Sequence, residues 1–238
     1  MKRDELGASW GRFPELPIGK PGYPLSPYNF LHRDHQTYYP TDAERDAAIA
    51  RLPYLASEQF IKQFKDTRKD AVFTFIRRPN YYAAFNSGER ITDQQRRGLG
   101  LLWHPKTGAV LQSQTGSADH AWGTRAEGAE QVYEAGDVAA TFSDDLAVAT
   151  YPLGTVGKKT VTFEADAIVV RIEHPGAFTE QIPVVVRSDR RPRVDVRTPE
   201  GTNRSIAAGR TAFGNTSVET LNLSAHNTLS YTIQIRTP

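Results

Sequence analysis

The chain has 238 residues, no cysteine and a net charge of only +2, set by 29 basic against 27 acidic side chains. A chain of this length buries roughly three quarters of the surface it exposes when unfolded, so one large core or two small ones stand without covalent staples. Thiolate chemistry and disulfide frameworks are excluded, and the near-neutral charge argues against a dedicated nucleic-acid binder; no stretch approaches the ~18 uncharged apolar residues of a membrane span, so no membrane insertion is expected.

Residues 1–40 interleave Pro14, Pro17, Pro21, Pro24, Pro27 and Pro40 with Trp10, Phe13, Tyr23, Tyr28, Phe30, Tyr38 and Tyr39. Prolines this dense forbid a helix, while so many rings are unlike a disordered tail, so an extended arm docked by its aromatics is predicted. A helix follows over 42–52, with Thr41 as cap, Glu44 completing a capping box and Pro53 ending the run. Its narrow apolar face, with Ala48, Ile49 and Leu52, is expected to lie on a sheet edge.

From residue 60 the pattern changes to period two, with β-branched and aromatic residues and turn signals roughly every ten positions. Strands are predicted at 71–77 and 81–86 around a turn at Arg78, Pro79 and Asn80. A hairpin is predicted from 99–104 and 109–114 around Pro105, Lys106, Thr107 and Gly108. Further strands are expected near Val132 and at 139–142, 147–151, 159–164, 167–173, 181–187, 193–197, 217–223 and 229–236. Many short strands with little helix define a mainly β chain: an antiparallel β-sandwich at 59–238, preceded by the arm and short helix at 1–58.

Three polar clusters could carry chemistry. His32, Arg33, Asp34 and His35 lie in an irregular segment whose spacing fixes no common direction, so a metal site is not predicted. Arg187, Arg190, Arg191, Arg193 and Arg197 invite an anion, yet Asp189, Pro192 and Asp195 among them read as a solvated turn and strand. The third, from Gln112 and Gln114 through His120 and Trp122 to Arg125, joins amides, an imidazole, an indole and a guanidinium on one loop. An exposed Trp122 would stack on a sugar, and Arg125 would pair with a uronate or sulfate. The plainer reading has Gln112 and Gln114 on an exposed face, Trp122 plugging the core and Arg125 solvated. No phosphate-cradling glycine loop, nucleophile elbow or His-Glu-x-x-His segment occurs, and no cofactor is expected.

The segments Tyr81-Tyr82-Ala83-Ala84-Phe85-Asn86-Ser87-Gly88, Arg96-Arg97-Gly98-Leu99-Gly100-Leu101-Leu102-Trp103-His104-Pro105 and Gly108-Ala109-Val110-Leu111-Gln112-Ser113-Gln114 together resemble the carboxy-terminal sandwich region of heparinase II/III-like proteins. That resemblance implies a polysaccharide lyase architecture, in which an α/α toroid packs against β-sheets and an acidic polysaccharide lies between them. No toroid is present in this sequence, so the partners the resemblance implies are the acidic glycan and a toroid domain; a second copy is the partner expected of an interaction module. β-Elimination needs a base and an acid, roles that Tyr and His fill; His120 and Tyr82 are the candidates here, although the His-x-His pattern associated with the sandwich histidine is missing. The competing expectation is a non-catalytic structural or protein-interaction sandwich. The compartment stays open, because a leader ahead of Met1 would leave the same chain.

Overall fold

The computed structural model describes residues 41–51, 59–89, 97–104, 107–113, 120–136, 139–186, 193–211 and 217–236. The chain divides into two compact units, 1–56 and 57–238. In the first, the described element is helix α1 (Asp42–Arg51). The Thr41 backbone N–H donates to Glu44 Oε2 at 2.8 Å, and the Glu44 N–H donates to Thr41 Oγ1 at 3.3 Å. This is the capping box read from the sequence, and it holds Glu44 below its ordinary carboxylate range through the hydrogen bonds from Thr41. The proline-rich arm, His32 to His35 and Leu52 lie outside the described residues.

The second unit is built on one sheet of thirteen strands, paired antiparallel throughout the described residues. The strands are β1 (Phe60–Asp66), β2 (Ala71–Arg78), β3 (Tyr81–Asn86), β4 (Gly98–His104), β5 (Gly108–Gln112), β6 (Gly123–Ala126), β7 (Thr141–Phe142), β8 (Val148–Leu153), β9 (Gly157–Phe163), β10 (Ile168–Val186), β11 (Val194–Arg197), β12 (Asn203–Thr211) and β13 (Ser217–Ile235). A 3-10 turn, Tyr133–Ala135, stands where a strand near Val132 was expected. Along the main path the order is β1-β2-β3-β4-β5-β10-β9-β8-β7.

Two long strands make the sheet curl. The first half of β10 pairs with β9, from Ile168 opposite Phe163 to Glu173 opposite Lys158. Its second half pairs with β6 and with β5, where Val184 faces Leu111. Between the halves the β10–β13 register shifts at Glu173/Ala177, and Pro175, which has no N–H to give a ladder, falls inside that irregularity. The result is a mainly β sandwich whose two layers belong to one continuous sheet, rather than two separate sheets. Phe85 meets Phe163 at 5.8 Å and Tyr151 at 6.5 Å between ring centroids, and Tyr81 donates its hydroxyl to the Glu164 carbonyl at 2.6 Å. Leu99, Leu102, Leu111, Trp122, Val161, Ile168, Ile182, Leu223 and Tyr231 fill the space between the layers.

Candidate functional site

Alternation along β1–β5 sends one set of side chains into the core and the other onto the outer face. Thr74 lies opposite Phe85, and Ile76 opposite Ala83, all four buried. The outward set forms two cross-strand rows. One runs Phe60, Arg77, Tyr82, Trp103, Ala109; the next runs Lys62, Phe75, Ala84, Leu101, Gln112. Phe64 and Phe73 begin a third. The face is therefore aromatic and solvent-accessible: Phe64 is 56% and Trp103 39% exposed.

The rings touch in sequence. Phe75 and Tyr82 stack at 6.2 Å and 19°, Phe60 tilts against Tyr82 at 6.4 Å, and Phe64 meets Phe75 edge-on at 5.7 Å. Lys62 Nζ lies 5.9 Å from the Phe64 centroid, so its cation rides on the aromatic surface. Burial pushes the Tyr82 phenol above its ordinary value, which keeps it protonated and able to donate a hydrogen bond.

On the same side of the sheet the rows continue across β5 onto β10 and β13, where they are covered, with Gln181 and Thr220 buried. There Pro183 lies opposite Thr220, Gln181 opposite Asn222 and Thr179 opposite Ser224, with Arg125 of β6 beside Thr179. His120 Nδ1 is 2.9 Å from Thr220 Oγ1, which seats the imidazole on this strip. The carbonyl oxygens of Gln181 and Asn222 are buried and accept no hydrogen bond. Among the described residues of β1–β6, the outer rows carry Lys62, Arg77 and Arg125 as cations and Asp66, at the end of β1, as the one carboxylate.

Of the residues proposed from the sequence, Tyr82, Gln112, His120 and Arg125 thus lie on one side of the sheet, Tyr82 and Gln112 on its open rows and His120 against the buried Thr220. Gln114 lies outside the described residues, as do Arg187 to Pro192. Trp122 does not belong to the face: it is 0% exposed, its indole packs on Phe85 at 6.2 Å, and its Nε1 donates to the Tyr231 hydroxyl at 3.2 Å. The stacking role assigned to it is corrected, because a ring enclosed on all sides offers no plane to a sugar; the core-plug reading describes it. Nor does the sheet bring His120 and Tyr82 together as base and acid. Tyr82 is on β3 and the His120 partner Thr220 on β13, four strand spacings away, about 19 Å along the sheet and too far for one glycosidic linkage.

Trp103, Phe75, Lys62 and Arg77 were not singled out beforehand, although a signal existed. In Phe73-Thr74-Phe75-Ile76 both phases of the alternation are apolar, which marks a strand with rings on each face. A separate groove of about 760 Å³ lies where Lys65, Asp66, Asp70, Glu89 and Asp144 converge. Its charged side chains are four carboxylates against one lysine, and it includes none of the proposed residues, so it does not suit a polyanion. Among the described residues no three metal-ligating side chains cluster, and no helix is long and apolar enough to cross a membrane.

By class, the fold and this face define a mainly β protein with an aromatic, cation-bearing outer sheet surface. No family model and no curated protein matches the sequence. Among solved structures it is similar to HI1317 (8% identity, TM-score 0.44, 74% of this chain and 100% of that one). It is also similar to a 4-alpha-glucanotransferase from Thermococcus litoralis (10%, 0.41, 80% and 41%) and to a putative mutarotase, YeaD, from Salmonella typhimurium (11%, 0.42, 75% and 94%). At these values the likenesses identify neither a family nor an activity.

Proposed function

We propose that this chain is a carbohydrate-binding β-sandwich module that lays an acidic polysaccharide across its outer sheet face. One observation carries the reading: stacked Phe75 and Tyr82, with exposed Trp103 in register, share their face with Lys62 and Arg77. Flat rings suit the apolar faces of sugar rings, and fixed cations suit uronate or sulfate groups between them. From β1 to β5, where the rows are open, the face spans four strand spacings, about 19 Å along the sheet, which fits a few sugar residues in a row. The likeness to heparinase II/III-like sandwiches fits the same ligand class, with catalysis left to other groups because Tyr82 and His120 are far apart.

Affinity electrophoresis through gels containing polygalacturonate, a sulfated glycosaminoglycan or a neutral glucan tests this. The wild type should be retarded by the acidic polymers, more weakly as salt rises. Trp103→Ala should reduce that retention about fivefold to tenfold, the equivalent of ~1 kcal/mol of lost ring contact. Equal retention of wild type and variant, or none on either acidic polymer, overturns the proposal. The apolar character of Phe60, Phe64 and Phe75 favours a second reading, pairing of two copies through this face, which a solution mass above 26.5 kDa would reveal.

A further inference from the structure

Three ionisable side chains meet inside the sandwich with 0% exposure: Lys159 of β9, Glu180 of β10 and Glu134 of the 3-10 turn. Lys159 Nζ lies 2.5 Å from Glu180 Oε1, 3.0 Å from Glu134 Oε1 and 3.2 Å from Thr124 Oγ1, with the Trp122 ring centroid 3.5 Å away. Both oxygens of Glu180 also accept hydroxyl hydrogens, from Tyr231 at 2.6 Å on Oε1 and from Thr124 at 2.7 Å on Oε2. Glu134 accepts the Tyr151 hydroxyl at 2.6 Å and the Thr124 backbone N–H at 2.8 Å.

One ammonium cannot neutralise two carboxylates, and a charge taken fully out of water is costly even when paired. Burial pushes the Glu180 carboxyl up, against the pull of Lys159. Moving one proton from Lys159 to Glu180 turns the closest pair into a neutral amine against a neutral carboxylic acid, with Glu134 ionised beside them. The nucleophile and acyl group are held in contact, at an effective concentration that no encounter in solution reaches. The hydroxyls of Tyr231 and Thr124 donate one to each Glu180 oxygen, so whichever is the carbonyl has a donor in place for the charge that grows there during attack.

We propose that Lys159 and Glu180 condense into an isopeptide bond, with Glu134 relaying the proton. The Nζ lone pair attacks Cδ of the Glu180 acid and the Nζ–Cδ bond forms. A proton leaves Nζ for Glu134 Oε1 and passes to the departing Glu180 hydroxyl. The Cδ–O bond breaks and one water is released; nothing is oxidised or reduced. The amide replaces a buried ion pair with a neutral group whose carbonyl keeps a hydroxyl donor and whose N–H faces Glu134. The bond would tie β9 to the second half of β10, across the bend that joins the two layers.

The test is the intact mass of the purified chain, shown to be folded by a cooperative melt and then denatured for measurement. The wild type should weigh one water less than its sequence, and fragmentation should place that loss on linked peptides carrying Lys159 and Glu180. Lys159→Arg keeps the positive charge without a nucleophilic amine and should show its full sequence mass. Glu134→Gln should show its full mass at an age when the wild type has reacted completely. A folded wild type at full sequence mass overturns the proposal, as does a water loss that persists in Lys159→Arg.

Discussion

Trp122 shows how one side chain can be assigned the right polarity and the wrong address. Its neighbours His120 and Arg125 do face outward, but Trp122 precedes Gly123, which pairs with Gln181, so alternation turns the indole inward. Beneath it, Gly98 holds φ +86° where β4 begins, and a side chain there would collide with the indole Cζ3 and Cε3. Trp122→Ala should therefore cost about 3–5 kcal/mol of stability, read as a lower melting temperature and chemical denaturation midpoint, because it empties the largest fully buried side chain and uncovers Lys159. A melting temperature within a degree or two of wild type would place the ring outside the core. The buried network is legible in the same alternation. Lys159 is in phase with buried Val161 and Phe163, and Glu180 with buried Ile182 and Val184. A charge in phase with a core face is a stronger marker than a charge in a loop.

At the scale of elements, local chemistry was readable and long-range continuity was not. The capping box fixed the start of α1, and the turn after Arg78 and the loop at Thr107–Gly108 formed where proline, asparagine and glycine predicted them. Gly108 takes φ +74°, the conformation a hairpin end demands. β10 and β13, by contrast, were each expected as two strands. Pro175-Gly176 and Asn227 look like turns in sequence, yet the two strands bend together there and keep pairing on both sides, from Glu173 opposite Thr228 to Ala177 opposite His226. Nothing local records that partnership. β1, β6 and β12 were not singled out because Lys62, Lys65 and Asp66, a four-residue length, and Asn203-Arg204-Ser205 respectively blur the apolar alternation. The outer face was half legible: Tyr82 and Gln112 were named, but the rows that join them to Trp103 and Lys62 exist only once the register is known.

For the whole molecule, the described interior holds three buried phenols. Burial pushes Tyr81, Tyr151 and Tyr231 above the ordinary value of 10.0. In the unfolded chain these tyrosines ionise near that value, whereas the folded chain keeps its protons. The unfolded state therefore binds fewer protons as pH rises past ~10, and stability falls, by up to about 1.4 kcal/mol per pH unit for each phenol. In an alkaline titration these three should yield tyrosinate absorbance only in step with the loss of β-sheet signal. Full tyrosinate absorbance from a still-folded chain would show them exposed.

The sandwich serves, in this account, to hold the aromatic and cationic rows of β1–β5 open to solvent. Trp103 reports on that face directly, since it is exposed in register beside Tyr82 while Trp122 is sealed in the core. The decisive measurement is a fluorescence titration with polygalacturonate, in which the Trp103 signal is isolated by difference from a Trp103→Phe variant. A saturable change in wild-type emission that disappears in the variant is the predicted result. Emission that never responds to the polymer, or that responds equally in Trp103→Phe, would contradict it.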